Sequence, residues 1–286
     1  MWWKVIAIVL MVLVFVFAMI FLLGAYLWRS DTRELHAKME AARVPIAPTV
    51  YDPRELEGLP TPVQHYFRAV LKDGQPLVTA VSIEHTGTFD MGETTEQWKP
   101  FSSTQHVTIQ RPGFVWDARI RMAPGMIAHV HDAYIAGEGV LTAKLFGLLT
   151  VMNLPSTPEL AHGELMRFFA EAAWYPTALL PNQGVTWEAM NDSQARATLT
   201  DGRVTVDLVF QFDDRGLISS VRSDGRYRAM EGVLVAVPWQ GRFWGYEMRN
   251  DMLVPLEGEV DWLLSEGPKP YWRGRIQRIR YELSNR

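Results

Sequence analysis

The chain opens with a long apolar run and then changes its rhythm twice. From Val5 to Trp28 no residue is charged, and these 24 positions, mostly Val, Ile, Leu, Met and Phe, would extend about 36 Å as a helix, enough to cross a bilayer. Trp2 and Trp3 at one border and Tyr26 and Trp28 at the other stand where amphipathic rings settle among headgroups. The run closes on Gly24-Ala25 followed by bulky Tyr26, Leu27 and Trp28 rather than on a small-x-small cleavage site, so it reads as an uncleaved single-pass anchor. Asp31 to Ala42 has helix formers but few apolar positions and predicts a solvated continuation that lifts the remainder off the membrane. Pro45, Pro48, Pro53 and Pro60 then predict a stiff, extended linker.

Helical spacing returns at Val63, Tyr66, Phe67, Val70 and Leu71, with Thr61 as the expected N-cap, Pro62 at the first helical position and Gly74 as the stop. Beyond it the period falls to two. Val81, Ile83, His85, Gly87 and Phe89 alternate with polar neighbours, and so do Phe114, Trp116, Ala118, Ile120 and Met122, whose alternates Asp117, Arg119 and Arg121 face the other way. A second helix is expected from Pro158 to Trp174, burying Leu165, Phe168, Phe169 and Ala172 and ending at Pro176. Alternation resumes at Val204 to Phe212, turns at Asp213-Asp214-Arg215-Gly216, and continues through further strands to Leu283.

Helix, strand set, helix, longer strand set is an α+β pattern and not the strand–helix alternation of a doubly wound or barrel enzyme. The expected architecture is one N-terminal transmembrane helix followed by a large curved antiparallel sheet, a half-barrel, with two helices on its concave side. The expected divisions are residues 1–28 as anchor, 29–59 as juxtamembrane helix and Pro-rich linker, and 60–286 as a single domain. Eight of the 11 tryptophans fall in that last division, enough to wall a hollow or to fill it.

Charge removes several function classes. With Lys4 set aside, 27 Lys and Arg face 32 Asp and Glu, the reverse of a nucleic-acid binder. No cysteine is present, which excludes disulfide scaffolds, thiol nucleophiles and Cys-ligated zinc. There is no Gly-x-Ser-x-Gly elbow, phosphate loop or His-Glu-x-x-His. Gly137-Glu138-Gly139 lacks the third glycine and the following helix of a dinucleotide fingerprint, and Asn191-Asp192-Ser193 carries no weight as a glycan acceptor.

Two constellations remain. On the second helix Glu164, Arg167 and Glu171 fall at i, i+3 and i+7, placing acid, base and acid on one stripe, with Trp174 at the helix end. An arginine fork there can bind phosphate or carboxylate, although a solvated ion-pair ladder is the plainer account. The other constellation is His129 and His131, on one face of a strand, with Asp132 and Glu138 close in sequence. Two histidines without a defined third ligand do not make a metal site, and no metal or cofactor is assigned.

The stretch Gly163-Glu164-Leu165-Met166-Arg167, continuing through Ala170-Glu171 to Trp174, Pro176 and Leu179-Leu180-Pro181, resembles a bacterial family of uncharacterised membrane-anchored domains. Phe114, Trp116, His131-Asp132, Trp187-Glu188, Val237-Pro238-Trp239 and Tyr271-Trp272-Arg273-Gly274 follow the same family's order, from about Leu59 to the end. Trp244 to Asp251 departs from it, where a Gly-rich turn is expected. The strand order is also similar in architecture to the half-barrel of bacterial lipoprotein carriers. That likeness implies a sheltered site for acyl chains and a domain outside the cytoplasm, against the flanking-charge rule that Arg29, Arg33, Lys38 and Arg43 invoke.

The leading expectation is a non-enzymatic domain, tethered to the bilayer through residues 5–28, that holds a lipid or other amphipathic molecule in the hollow. Trp116, Trp174 and Trp187 would form walls, and Arg167, with Glu164 and Glu171, would orient a headgroup. The alternatives are a hydrolase-like enzyme using His129, His131, Asp132 and Glu138 with the helix carboxylates, and an envelope scaffold module.

Overall fold

The computed structural model describes residues 2–92, 95–230 and 233–285. Helix α1 (Trp2–Ala41) contains the one stretch among the described residues that is long and apolar enough to cross a membrane. Helix α2 (Thr61–Val70) leads into β1 (Val78–Asp90), β2 (Trp98–Thr108), β3 (Gly113–Ala123), β4 (Met126–Ile135), β5 (Glu138–Leu145) and β6 (Leu149–Leu154). After α3 (Pro158–Ala170) come β7 (Thr186–Asn191), β8 (Gln194–Asp201), β9 (Val204–Phe212), β10 (Ile218–Met230), β11 (Val233–Arg249), β12 (Met252–Leu264) and β13 (Gly267–Leu283).

All these strands form one open antiparallel sheet in the order β6-β5-β4-β3-β2-β1-β13-β12-β11-β10-β9-β8-β7. Two meanders are therefore fused along β1 and β13, where Ile83 stands opposite Ile279. Strict alternation of direction puts the turns after β1, β3, β5, β8, β10 and β12 at one end of the sheet and the others at the opposite end. Helix α3 joins the two outer edges across the inside of the curve, touching β4 and β5 on one arm and β9 and β10 on the other. Tyr66 and Phe67 of α2 meet Phe212 and Trp187, and Phe169 of α3 meets Phe210, so both helices occupy the concave side of the expected half-barrel.

The second half of α1 differs from its expectation. Instead of standing in solvent, it packs on the convex face of β2, β3 and β4, with Trp28 and Met39 buried. Met39 meets Val115, Ala133 and Ile135, whose strand neighbours Phe114, Trp116 and Tyr134 point into the main core. Few apolar residues suffice because Trp28, Thr32, Leu35 and Met39 recur at spacings of four, three and four and form one stripe. The Pro-rich segment is packed too. Asp52 and Glu55 close a capping box around a short 3-10 turn, which buries Leu56 beside Tyr51.

Local details show which signals were decisive. Pro60, not Thr61, caps α2, its carbonyl accepting the amides of Val63 and Gln64 at 3.0 Å each. The helix expected through Trp174 is regular to Ala170 and tightens to 3-10 over Glu171–Trp174, while at its start the Thr157 hydroxyl accepts the Leu160 amide. Asp213 closes its turn as expected. At the departure near Trp244, Asn250 and Asp251 take φ of 47° and 63° and form a two-residue left-handed hairpin without glycine.

Candidate functional site

Period-two geometry decides which side chains can meet. Across the first meander Gln105, Trp116, Asp132 and Leu141 stand opposite one another on successive strands, so their side chains form one row on the concave face. Helix α3 lies above that row. It can approach because Gly139 has no side chain: a Cβ there would stand 2.8 Å from the Leu160 carbonyl carbon.

Between α3 and the sheet lies a partly open hollow of about 360 Å³. Its deep wall is made by the buried indoles of Trp116, Trp174, Trp239 and Trp272. Trp174 and Trp272 stand 6.4 Å apart, centroid to centroid, with Phe243 at 6.2 Å from Trp174. These contacts pack the three rings together into one side of the hollow.

Charge is gathered at the α3 side. Arg167 donates from Nη1 to Asp132 Oδ2 at 2.6 Å and from Nε to Glu171 Oε1 at 2.8 Å, and Gln105 donates to the second Glu171 oxygen at 2.6 Å. Its guanidinium stacks 4.8 Å from the Phe114 ring and 4.9 Å from Trp116. On the opposite arm Arg226 pairs with Glu164 at 3.5 Å and donates to the Tyr271 hydroxyl at 3.3 Å, which also accepts from Trp239. Three carboxylates thus face two guanidinium groups. Burial pushes the Glu164 carboxyl well above the ordinary range, the Asp132 charge adds to this, and a proton on Glu164 can bridge the two. With Glu164 neutral, two negative and two positive charges balance. Both arginines are held charged: burial alone would lower them, but Glu171 and Asp132 oppose it for Arg167, and Tyr271 and Asp132 for Arg226.

Among the residues that line the hollow, the buried indole N–H groups of Trp116 and Trp174 have no protein partner. Behind Trp174, at 5.0 Å, the His85 ring is held neutral, its pKa lowered to about 3 by burial and by Arg167.

Trp116, Glu164, Arg167, Glu171 and Trp174 all line the hollow. Trp187 does not. Its indole packs among Phe67, Phe210 and Phe212 and donates to the Leu179 carbonyl, because β7 is the sheet edge remote from the hollow. Arg226, Trp239, Tyr271 and Trp272 also line the hollow, and no motif singles out Arg226 from the other arginines of β10.

The histidine constellation divides. Asp132 points into the hollow, whereas His129 and His131 point out of the convex face, where Trp28 stacks on His131 at 3.7 Å and lies 5.2 Å from His129. Thr32 bonds His131 at 2.7 Å, and the Trp28 indole donates to Asp117. Glu138 is exposed at the start of β5. Adjacent residues of a strand face opposite ways, so these four side chains do not converge, and among the described residues no three acids or histidines are placed to share a metal ion.

The fold is similar to a LolA superfamily protein from Nitrosomonas europaea, at 8% identity and a TM-score of 0.42, covering 78% of this chain and 92% of that one. It is also similar to a β-barrel-like protein of a domain of unknown function (DUF1849) from Brucella abortus, at 9% identity and a TM-score of 0.27, covering 72% and 99%. Likenesses this distant do not bear on function. No curated protein matches the sequence. Residues 57–281 match the model of a family of unknown function, DUF6920, and the chain belongs to that family.

Proposed function

We propose that this protein is a non-enzymatic, membrane-tethered binding domain that shelters the apolar part of a lipid or similar amphipathic molecule. The observation that carries this reading is the hollow itself. Its volume lies within the range of about 300–1,000 Å³ common to small-molecule sites and its deep wall is aromatic, with charged side chains both on the α3 side and along β10 to β12. The balanced network around Arg167 and Arg226 gives a polar end without leaving a net buried charge. The tether in this reading is α1, whose apolar stretch is long enough to cross a bilayer.

The test is to extract the full chain in mild detergent and weigh it by native mass spectrometry, beside a variant whose hollow is plugged. Gly163→Leu serves as the plug. A Cβ there touches only the Arg226 side chain, at 3.8 Å, and leucine favours the helix over glycine by about 1 kcal/mol. The expected outcome is a bound lipid mass on the wild type that is lost from a stably folded Gly163→Leu protein. An empty wild type that also fails to take up a fluorescent fatty acid overturns the reading.

A further inference from the structure

The hollow and the anchor meet at one end of the sheet. Helix α1 runs along the convex face from Trp28, beside Asp117 and His131, to Met39, beside Gly113 and Ile135. Its apolar half therefore leaves the domain at the end that carries the turns after β1, β3 and β5. The β5–β6 turn is locked to it there. Phe146 packs on Phe21 at 5.0 Å, and a Cβ at Gly24 would stand 2.1 Å from the Phe146 carbonyl oxygen and 3.0 Å from the Leu148 side chain. This contact falls inside the uncharged run. Gly24 precedes Arg29 by five residues, roughly 7 Å along the helix, and Phe21 by eight, roughly 12 Å. If Val5 to Trp28 occupies a bilayer, the β5–β6 turn reaches the boundary between headgroups and acyl chains.

The side chains fit that depth. Strand β6 is an open sheet edge on which Leu149, Val151 and Met152 are exposed by 63%, 54% and 47%. In the neighbouring β3–β4 turn Met126 is 39% exposed. A polar medium disfavours this arrangement on two counts, the apolar area and the unpaired strand edge. Arg29 on α1 and Arg121 on β3, near the same end, are exposed and would meet headgroup phosphates at that depth. The same hairpin also forms one side of the hollow, through Leu141, Ala143, Met152 and Leu154. The most exposed members of the lining, Met152, Met91 and Tyr227, each lie within a few residues of a turn at this end, whereas Trp116, Trp174 and Trp239 are buried.

We propose that the β5–β6 hairpin is seated in the surface of the membrane its own anchor crosses, so that the mouth of the hollow opens onto that leaflet and the guest is a lipid taken from it. The route for the guest rests on the ligand-binding reading above, whereas the seating of the hairpin does not. The chain has no cysteine, which allows single reporters without background mutations. The experiment places a bimane fluorophore on Val151→Cys, Leu149→Cys or, as a control, Asp192→Cys in the β7–β8 turn at the far end. The full chain is reconstituted in vesicles of phosphatidylcholine and phosphatidylglycerol with and without lipids nitroxide-labelled on the acyl chain.

The expected result is that positions 149 and 151 lose most of their fluorescence to the lipid-borne quencher while position 192 keeps its signal. Quenching of all three by water-soluble iodide, with none from the lipid, overturns the proposal. Protection from both quenchers together with crosslinking between chains overturns it in favour of a second copy paired along β6. Failure of the ligand reading looks different: the hairpin is quenched by lipid, yet wild type and Gly163→Leu carry no bound mass.

Discussion

Strand β4 has a polar problem on each face, and the two faces solve it in opposite ways. On the concave side Asp132 is paired with Arg167, and burial is tolerated by balancing charges. On the convex side His131 and His129 are kept neutral beneath an indole; burial lowers both to about 4, assisted for His129 by Arg119. His36 on α1 is likewise lowered to about 4 by burial and by His106. Charges are thus paired beside the hollow, whereas the imidazoles beneath α1 are kept neutral next to the Lys144–Asp31 ion pair that helps join α1 to the sheet.

Breaking the concave balance has the largest expected effect. Arg167→Ala leaves Asp132 and Glu171 buried without their cation, and denaturant unfolding in detergent should show a loss of about 3–5 kcal/mol. Adding Asp132→Asn and Glu171→Gln to that variant should recover much of the loss. On the convex face Trp28→Ala removes a buried indole at a cost of about 3 kcal/mol, but the cost is confined to docking. Hydrogen exchange should quicken along residues 29–41 while the strands stay protected.

The smallest effect, and the sharpest contrast, is in pH. The histidines have folded values below their unfolded 6.5, so docking is fully stabilised above 6.5 and weakens as pH falls toward about 4. Glu164 has a folded value raised above its unfolded 4.5, so its contribution is complete below 4.5 and is lost as pH rises. Exchange measured across pH 4 to 8 should show α1 loosening toward acid and the hollow loosening toward base. Glu164→Gln should abolish only the second trend, and a common direction for both faces contradicts the comparison.

Much of this was legible in the residues. Alternation at Phe114 to Met122 located β3 and its inward face, Pro158 started α3, and Asp213 to Gly216 made its turn. The helical spacing of Glu164, Arg167 and Glu171 correctly gathered them on one stripe, since i, i+3 and i+7 is a local property. What could not be read were long-range partners. Nothing near Asp132 in sequence names Arg167 as its mate, and Arg226 meets Glu164 only because α3 bridges two sheet arms. Two errors had usable signals. Consecutive residues such as His131 and Asp132 diverge on any regular strand, and the stripe Trp28, Thr32, Leu35 and Met39 already marked a docking face.

The seam between β1 and β13 has a consequence for biogenesis. The central pair of the sheet joins residues about two hundred positions apart, such as Val78 with Leu283, so a ribosome must deliver nearly everything before the middle can zip. Until then two half-sheets wait with bare inner borders, and the nascent polypeptide is most vulnerable to misassembly in that interval. Strand exchange between neighbouring molecules at that seam is the form such misassembly would take.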